Sequence, residues 1–316
     1  MKKLLIIITM FSLLITGCAV GDTADVDTNI HMIVTKDFGN QGIYNEEVKL
    51  DYEEESVLEL TMKNLEVETA YGGGFVNAIN GIKSEFTGLT KKKKTDWFYY
   101  VNGILSEIGS GDYYVKDGDN IIWDYHDWSI RTYMTSIIGA YPKLFINGHG
   151  DQIFPVEIYY TKDYEEEVKK LEEFINKESV NVEVKSELLN ENNRENISND
   201  NVHTILIGNY QYINEIKYIE NLYDGGTTNG FFYDIKGDKI DIKNFRGDTV
   251  KSYDKGAAIS SSLKNYGSSD TLWIITGNDN KMISKAINIM HQHPEKIKGM
   301  FSAIVTEKGV ENLPRK

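Results

Sequence analysis

Short apolar runs separated by tight-turn residues dominate the chain between residues 30 and 128. Two of the turns are Asn80-Gly81 and Asn102-Gly103, each with an apolar run on both sides. An Asn-Gly pair between apolar runs predicts a two-residue β-hairpin, because both residues tolerate positive φ. The predicted strands lie at 31–35, 48–52, 75–79, 82–86, 97–101, 104–108, 113–115 and 121–125.

A helix is predicted at residues 55–65, where apolar side chains recur with the spacing of one helical face. It follows two predicted strands and precedes several more. Two strands, one helix and further strands form a β-grasp order, in which the helix packs on one face of a small sheet. We therefore expect a β-grasp-like domain over residues 30–130.

Strands and helices alternate from residue 155 to the end of the chain. The predicted strands lie at 156–160, 180–184, 203–207, 230–235, 239–244, 272–276 and 300–306, and the predicted helices at 163–176, 211–222, 256–266 and 280–291. This alternation predicts a three-layer-like α/β domain with a mixed sheet over residues 155–316. Residues 131–154 are interpreted as a connector, and the whole chain is assigned to the α+β class.

The N-terminus carries the features of a secretory signal. Lys2 and Lys3 precede a mostly apolar stretch at residues 4–15, which is shorter than the roughly 20 residues of a membrane-spanning helix. The stretch ends in Ile-Thr-Gly followed by Cys18, and this order resembles the bacterial lipobox. The resemblance predicts a signal peptide at 1–17, lipidation of Cys18, a tether at 18–29 and a location on the extracellular face of the cell membrane. An ordinary signal peptide or a short membrane anchor is the alternative.

Composition narrows the classes of function. The net charge of −14 argues against nucleic acid as a partner, because an acidic surface repels phosphates. Cys18 is the single cysteine, so an intrachain disulfide is excluded. The motifs of serine hydrolases, zinc proteases and P-loop enzymes are absent from the sequence. We therefore expect a binding protein rather than an enzyme, with no metal site and no required cofactor.

Aromatic residues are concentrated in one segment. Ten of the 37 residues from 97 to 133 are aromatic, against 11% of the whole chain, and three of the four tryptophans lie there. One helix covers only one face of a small sheet, so the other aromatic face needs the second domain, the connector or a ligand to cover it. Core and interdomain packing is one interpretation, and a surface for a flat, mostly apolar ligand is the other. The candidate ligand-binding residues are Trp97, Tyr99, Tyr100, Trp123, Tyr125 and Trp128.

The same segment carries a family resemblance. Residues 96–103 (DWFYYVNG) and 117–125 (DGDNIIWDY) resemble a widespread bacterial domain of unknown function. That domain is similar to the C-terminal domain of transcobalamin and intrinsic factor, within the soluble-ligand-binding β-grasp group. The resemblance covers residues 30–128 and implies ligand binding, with a corrinoid as one candidate. The partner domain of the vitamin carriers is helical, whereas the second half of this chain is predicted to be α/β.

Together these features predict a surface-anchored lipoprotein that captures a small planar ligand or delivers it to a transporter. The protein would be attached to the membrane through the lipid on Cys18. The alternative is a cell-envelope interaction protein that binds a partner protein or a wall glycan and no small molecule.

Overall fold

The computed structural model describes residues 28–52, 54–70, 73–86, 93–130, 134–179 and 181–316. The predicted signal peptide, Cys18 and most of the predicted tether lie outside these residues. The residues in these ranges form an α+β fold, with mostly strands in four sheets and few helices. No helix within the described ranges has the length and apolar character needed to cross a membrane.

The N-terminal half is built on a five-stranded mixed sheet. Its strands, in spatial order, are β2 (Gln41–Val48), β1 (Ile30–Lys36), β8 (Asn120–Asp127), β6 (Thr95–Val101) and β7 (Ile104–Leu105). The central pair β1 and β8 is parallel, and the other neighbours are antiparallel. Helix α1 (Val57–Asn64) packs on one face of this sheet, as a β-grasp order requires. A smaller sheet contains β3 (Val67–Ala70), β4 (Phe75–Ile79) and β5 (Ile82–Lys83).

Local signals fixed α1 and the two hairpins as the sequence predicts. Ser56 caps α1 in a capping box with Glu59, each side chain reaching the other's backbone N–H. Both Asn-Gly turns have positive φ at both residues, 48° and 77° at Asn80 and Gly81 and 52° and 88° at Asn102 and Gly103. The predicted strand at 113–115 forms only an isolated bridge to Ser56.

The C-terminal half is built on a seven-stranded mixed sheet. Strands β9 (Val156–Tyr160), β10 (Val184–Leu188), β11 (His203–Asn209) and β16 (Thr271–Gly277) are parallel, while β15 (Ala257–Leu263), β17 (Ser302–Thr306) and β18 (Gly309–Leu313) complete it in antiparallel fashion. The spatial order is β10-β9-β11-β16-β15-β17-β18.

Layers cover both faces of this sheet. The helices are α2 (Lys143–Asn147), α3 (Glu165–Glu178), α4 (Tyr210–Ile213), α5 (Lys217–Asp224) and α6 (Asn280–Gln292). Helices α3 and α6 contact each other and pack on one face. The other face packs on α4, α5 and a small sheet of β12 (Tyr233–Lys236), β13 (Lys239–Lys243) and β14 (Thr249–Tyr253). The three-layer arrangement agrees with the prediction.

Several predicted elements need correction. The predicted helix at 256–266 is strand β15, which lies between β16 and β17 in the middle of the sheet. Its first five residues are buried, and this tertiary burial overrides the helix propensity of its alanines. The second strand begins at residue 41 instead of 48, because residues 37–39 form a turn with positive φ. The predicted helix at 211–222 is divided into α4 and α5, and the predicted strand at 180–184 lies at β10.

The described part of the predicted connector packs into the core. It forms a 3-10 turn at Ile138–Ala140 and helix α2, and Leu144 and Phe145 are buried among the helices and the large sheet. A second hydrophobic cluster joins the two halves, since Ile33, Tyr100 and Ile122 share it with Phe301 and Ile304. The division of the chain at residues 131–154 stays a prediction, but the two halves share this second cluster.

Candidate functional site

One face of the N-terminal sheet is the core under α1. Trp97 and Tyr99 on β6 lie on this face beside Tyr125 and Trp123 on β8, with ring centroids 5.2 Å and 5.1 Å apart within the two cross-strand pairs. The indole Nε1 of Trp123 donates to Thr61 Oγ1 on α1 at 3.0 Å. Burial raises the pKa of both Tyr99 and Tyr125 to about 12. These aromatic side chains therefore stabilise the fold.

The opposite face is covered by the C-terminal half. Tyr100 is fully buried there, and its ring centroid lies 5.5 Å from that of Phe301. Burial raises the pKa of the Tyr100 hydroxyl far above its usual range. Asn312 reinforces the junction by donating to the carbonyl of Phe38 at 2.7 Å. Most of the second aromatic face is thus packing between the two halves.

A cavity opens where this packing ends, beside the ends of β6 and β8. Its volume is about 470 Å³, and we call it the aromatic cleft. Its apolar lining comes from Phe75, Phe86, Trp97, Phe98, Tyr100, Leu105, Trp128, Ile130 and Met134. Its polar lining comes from Lys94, Asp96, His126 and Ser129. The cleft therefore combines aromatic walls with a few polar groups, as small-molecule sites do.

Trp128 forms one wall of the aromatic cleft and is only partly buried. Its ring meets that of Phe86 edge to face, with centroids 5.0 Å apart. The Lys94 ammonium lies 5.2 Å from the Trp128 ring centroid, and the Trp128 backbone N–H donates to the Lys94 carbonyl at 2.7 Å. The buried Nε1 of Trp128 has no hydrogen-bond partner among the described residues. A buried donor without a partner is unusual in a folded protein.

Asp96 supplies a carboxylate to the aromatic cleft. It is opposite His126 in the β6–β8 ladder, and only 6% of its surface is exposed. It accepts hydrogen bonds from the Trp97 backbone N–H at 3.0 Å and from the Ser84 side chain. Burial raises the pKa of Asp96, and the hydrogen bonds and nearby His126 oppose this shift. The carboxylate is therefore costly to keep ionised without a cation beside it.

His126 is held in a fixed orientation. Its ring is stacked between Phe38 and Phe98, with centroid distances of 4.5 Å and 4.4 Å. Its Nδ1 lies 2.7 Å from Oδ1 of Asp124, a fully buried carboxylate. Asp124 also accepts from Thr35 Oγ1 and from two backbone N–H groups of the turn after β1. Because this network holds Nδ1, the other atoms of the imidazole are the ones that remain available to a ligand in the aromatic cleft.

Three of the six candidate residues line the aromatic cleft, namely Trp97, Tyr100 and Trp128. Tyr99, Trp123 and Tyr125 lie in the core under α1 and do not line it. Asp96 and His126 were missed by the sequence reasoning. The signal for His126 was available, because Asp124 and His126 are two apart on a strand and so lie on one face. No such signal was available for Asp96, because its neighbours in the sequence do not show that its side chain is buried.

Side chains that could bind a metal ion are not clustered in the part of the chain that the structure describes. No group of three or more His, Cys, Asp or Glu side chains is placed there to hold an ion.

Comparison with known protein families gives a match for one segment of the chain. Residues 54–127 match a domain of unknown function, DUF4430. The match agrees with the resemblance to a bacterial domain of unknown function and includes β6 and all of β8. None of the curated proteins compared with the chain matches it significantly.

A solved structure from Ruminococcus gnavus, described as a "putative metal binding protein", also matches. The two chains are 16% identical, the match covers 32% of this chain and 98% of the other, and the TM-score is 0.25. A likeness this distant says nothing about what this chain binds. The link to transcobalamin remains an expectation from the resemblance.

Proposed function

We propose that this protein is a surface-anchored lipoprotein that binds a small, flat, mostly apolar ligand in the aromatic cleft. The observation that carries the proposal is the cleft itself, in which Trp128, Phe86 and Phe98 surround about 470 Å³ of open space. Ligand pockets span about 300–1,000 Å³ and combine apolar walls with a few placed polar groups. The protein acts as a carrier in this proposal and performs no chemical step on the ligand.

The polar groups of the aromatic cleft define the edge of the ligand. Asp96 offers a carboxylate acceptor and Ser129 a hydroxyl donor, and both residues line the cleft. A ligand with an apolar body and polar edges satisfies both groups. A corrinoid has this character and is the finer form of the proposal, but it is larger than a drug-sized molecule, so only part of it would enter the cleft.

The lipid anchor rests on the sequence pattern around Cys18. Two acyl chains give stable membrane anchoring where one does not. The tether of residues 18–29 spans at most about 40 Å when fully extended, so the aromatic cleft would stay close to the membrane. This position suits delivery of a captured ligand to a transporter.

Replacement of Cys18 tests the anchor. We expect Cys18→Ala to block lipidation, so that the protein no longer partitions into a detergent phase. Mass spectrometry of the wild-type protein should show the mass of two acyl chains on the mature N-terminus. Detergent partitioning of Cys18→Ala at the same mature mass as the wild type would contradict the lipoprotein proposal.

Ligand binding is tested by calorimetric titration of the purified soluble part with indole and, separately, with cobalamin. We expect indole to bind and Trp128→Ala to abolish the binding. Tyr266→Ala is the matched control, because Tyr266 is an aromatic residue that is 94% exposed and does not line the aromatic cleft. Equal binding by wild type and Trp128→Ala would rule out the cleft as the site. Binding of cobalamin that is lost in Trp128→Ala would support the corrinoid form.

A further inference from the structure

The Asp96 carboxylate has no ion-pair partner in the described part of the chain. It is almost completely buried, lines the aromatic cleft and, among the described residues, accepts hydrogen bonds from the Trp97 backbone and Ser84. The nearby His126 favours the ionised form of Asp96, but its Nδ1 is held by Asp124. A buried carboxylate without a cation is unfavourable, because it has lost the solvation of water. A positively charged group in the cleft would remove that penalty.

The aromatic walls favour the same sign of charge. Trp97, Phe98, Phe86 and Trp128 all line the cleft with Asp96. The face of an aromatic ring carries negative electrostatic potential and attracts cations, most strongly when water is excluded. Rings around a carboxylate form the arrangement that recognises alkylammonium groups.

The chain already places a cation on one of these rings. The Lys94 ammonium lies 5.2 Å from the centroid of the Trp128 ring, and Lys94 itself lines the aromatic cleft. Lys94 makes no ion pair within the described residues, whereas the neighbouring Lys93 pairs with Glu85 at 3.3 Å. The Trp128 face therefore already holds an ammonium group, so a positive charge is accommodated there.

We propose that the ligand of the aromatic cleft is an organic cation, an aryl- or alkylammonium compound whose charge lies between Asp96 and the Trp128 ring. This inference rests on the proposed function, because it names the class of ligand for the same cleft. Lys94 competes for the Trp128 face and moves aside when the ligand enters. The net charge of −14 adds a long-range attraction for cations.

Three monosubstituted benzenes of different charge test the inference by calorimetry. They are phenyltrimethylammonium, its neutral isostere tert-butylbenzene, and the anion benzoate. We expect the cation to bind on the order of tenfold more tightly than the neutral isostere, and benzoate to bind most weakly. We expect Asp96→Asn to remove the preference for the cation. Glu107→Gln is the control, because it removes one exposed acidic charge outside the cleft.

Lys94→Met provides an independent test that leaves Asp96 in place. Loss of the competing ammonium should raise the affinity for phenyltrimethylammonium several-fold and leave that for tert-butylbenzene little changed. Equal affinities for the cation and the neutral isostere, with both lost in Trp128→Ala, would overturn the cation inference and leave the proposed site intact. Failure of all three probes to bind would overturn both. If Asp96→Asn does not fold, the three-probe comparison and Lys94→Met still decide the question.

Discussion

Trp123 and Trp128 have the same side chain in opposite settings. Trp123 is 2% exposed and is fixed by α1 through its hydrogen bond to Thr61, whereas Trp128 is partly exposed at the wall of the aromatic cleft. The sequence could place both in one aromatic segment. It could not separate them, because alternation along a strand does not show which face the second half of the chain covers.

Truncation of the two tryptophans should therefore have different effects. Trp123→Ala is expected to lower the free energy of unfolding by about 3–5 kcal/mol, since it leaves a large cavity in the core. Trp128→Ala is expected to lower it by only about 1 kcal/mol while removing ligand binding. Urea denaturation of both variants measures the difference. Equal losses of stability would mean that the Trp128 wall is ordinary core.

His203 gives the molecule a pH dependence at its buried centre. It is fully buried, and its Nδ1 accepts from the Thr271 backbone N–H at 3.2 Å. Burial, followed by the charge of Lys264, lowers the pKa of His203 to about 3. The native state thus keeps His203 neutral at pH values where the unfolded chain, with a pKa near 6.5, takes up a proton.

The contribution of His203 to native stability should therefore be complete above about pH 6.5 and should be lost progressively as the pH is lowered toward 3. The contribution of His203 to the slope is at most about 1.4 kcal/mol per pH unit. His203→Asn keeps a side-chain acceptor but cannot titrate, so we expect a shallower decline of stability between pH 6 and pH 4. His293→Asn, at an exposed position, is the control. Parallel declines in wild type and His203→Asn would refute this account of His203.

At the scale of elements, the sequence predicted best where a local signal decides the structure. The Asn-Gly turns and the Ser56 cap of α1 depend on neighbouring residues alone, and they were predicted correctly. Strand β15 was predicted as a helix because its run of Ala and Ser has no period-2 alternation. Its environment explains the composition, since neighbouring strands and layers bury it from both sides. The aromatic cleft was out of reach as well, because its walls come from separate strands and turns between residues 75 and 134, and the sequence does not show that these lie side by side.

Close contact between β15 and β16 should make this strand pair sensitive to small changes. A Cβ atom at Gly277 would lie 2.2 Å from the Gly256 carbonyl oxygen, so the backbone has to shift. We expect Gly277→Ala to destabilise the protein by about 1–3 kcal/mol. Gly42→Ala is the control, because a Cβ there meets nothing within 4 Å. The melting temperatures of the two variants measure the difference in stability. Equal melting temperatures would contradict the packing described for β15.

At the scale of the molecule, one hydrophobic cluster extends across the two halves. Phe38 and Tyr100 from the N-terminal half both contact Phe301 from the C-terminal half, with ring centroids 5.7 Å and 5.5 Å apart. The segment between the halves contributes Phe145 to the core of the large sheet. The change near residue 155 from closely spaced hairpins to alternating strands and helices predicted two different architectures. It gave no information about the area that is buried between them.

Unfolding of residues 18–316 should therefore be a single cooperative transition. A fragment that begins at Phe154 lacks Leu144 and Phe145 and should be less stable than the full chain or aggregate. Differential scanning calorimetry of both proteins tests this. Two separated transitions in the full chain, with the later one reproduced by the fragment, would show that the halves fold independently.

Ligand binding in the aromatic cleft can be followed directly through the indole N–H signals of the four tryptophans. In a titration with phenyltrimethylammonium followed by ¹⁵N–¹H NMR, we expect the Trp128 and Trp97 indole signals to shift with one common dissociation constant. Trp273, which is buried in the large sheet, should remain unchanged. A saturable shift confined to Trp273, or no shift of Trp128 at saturating probe, would contradict the account.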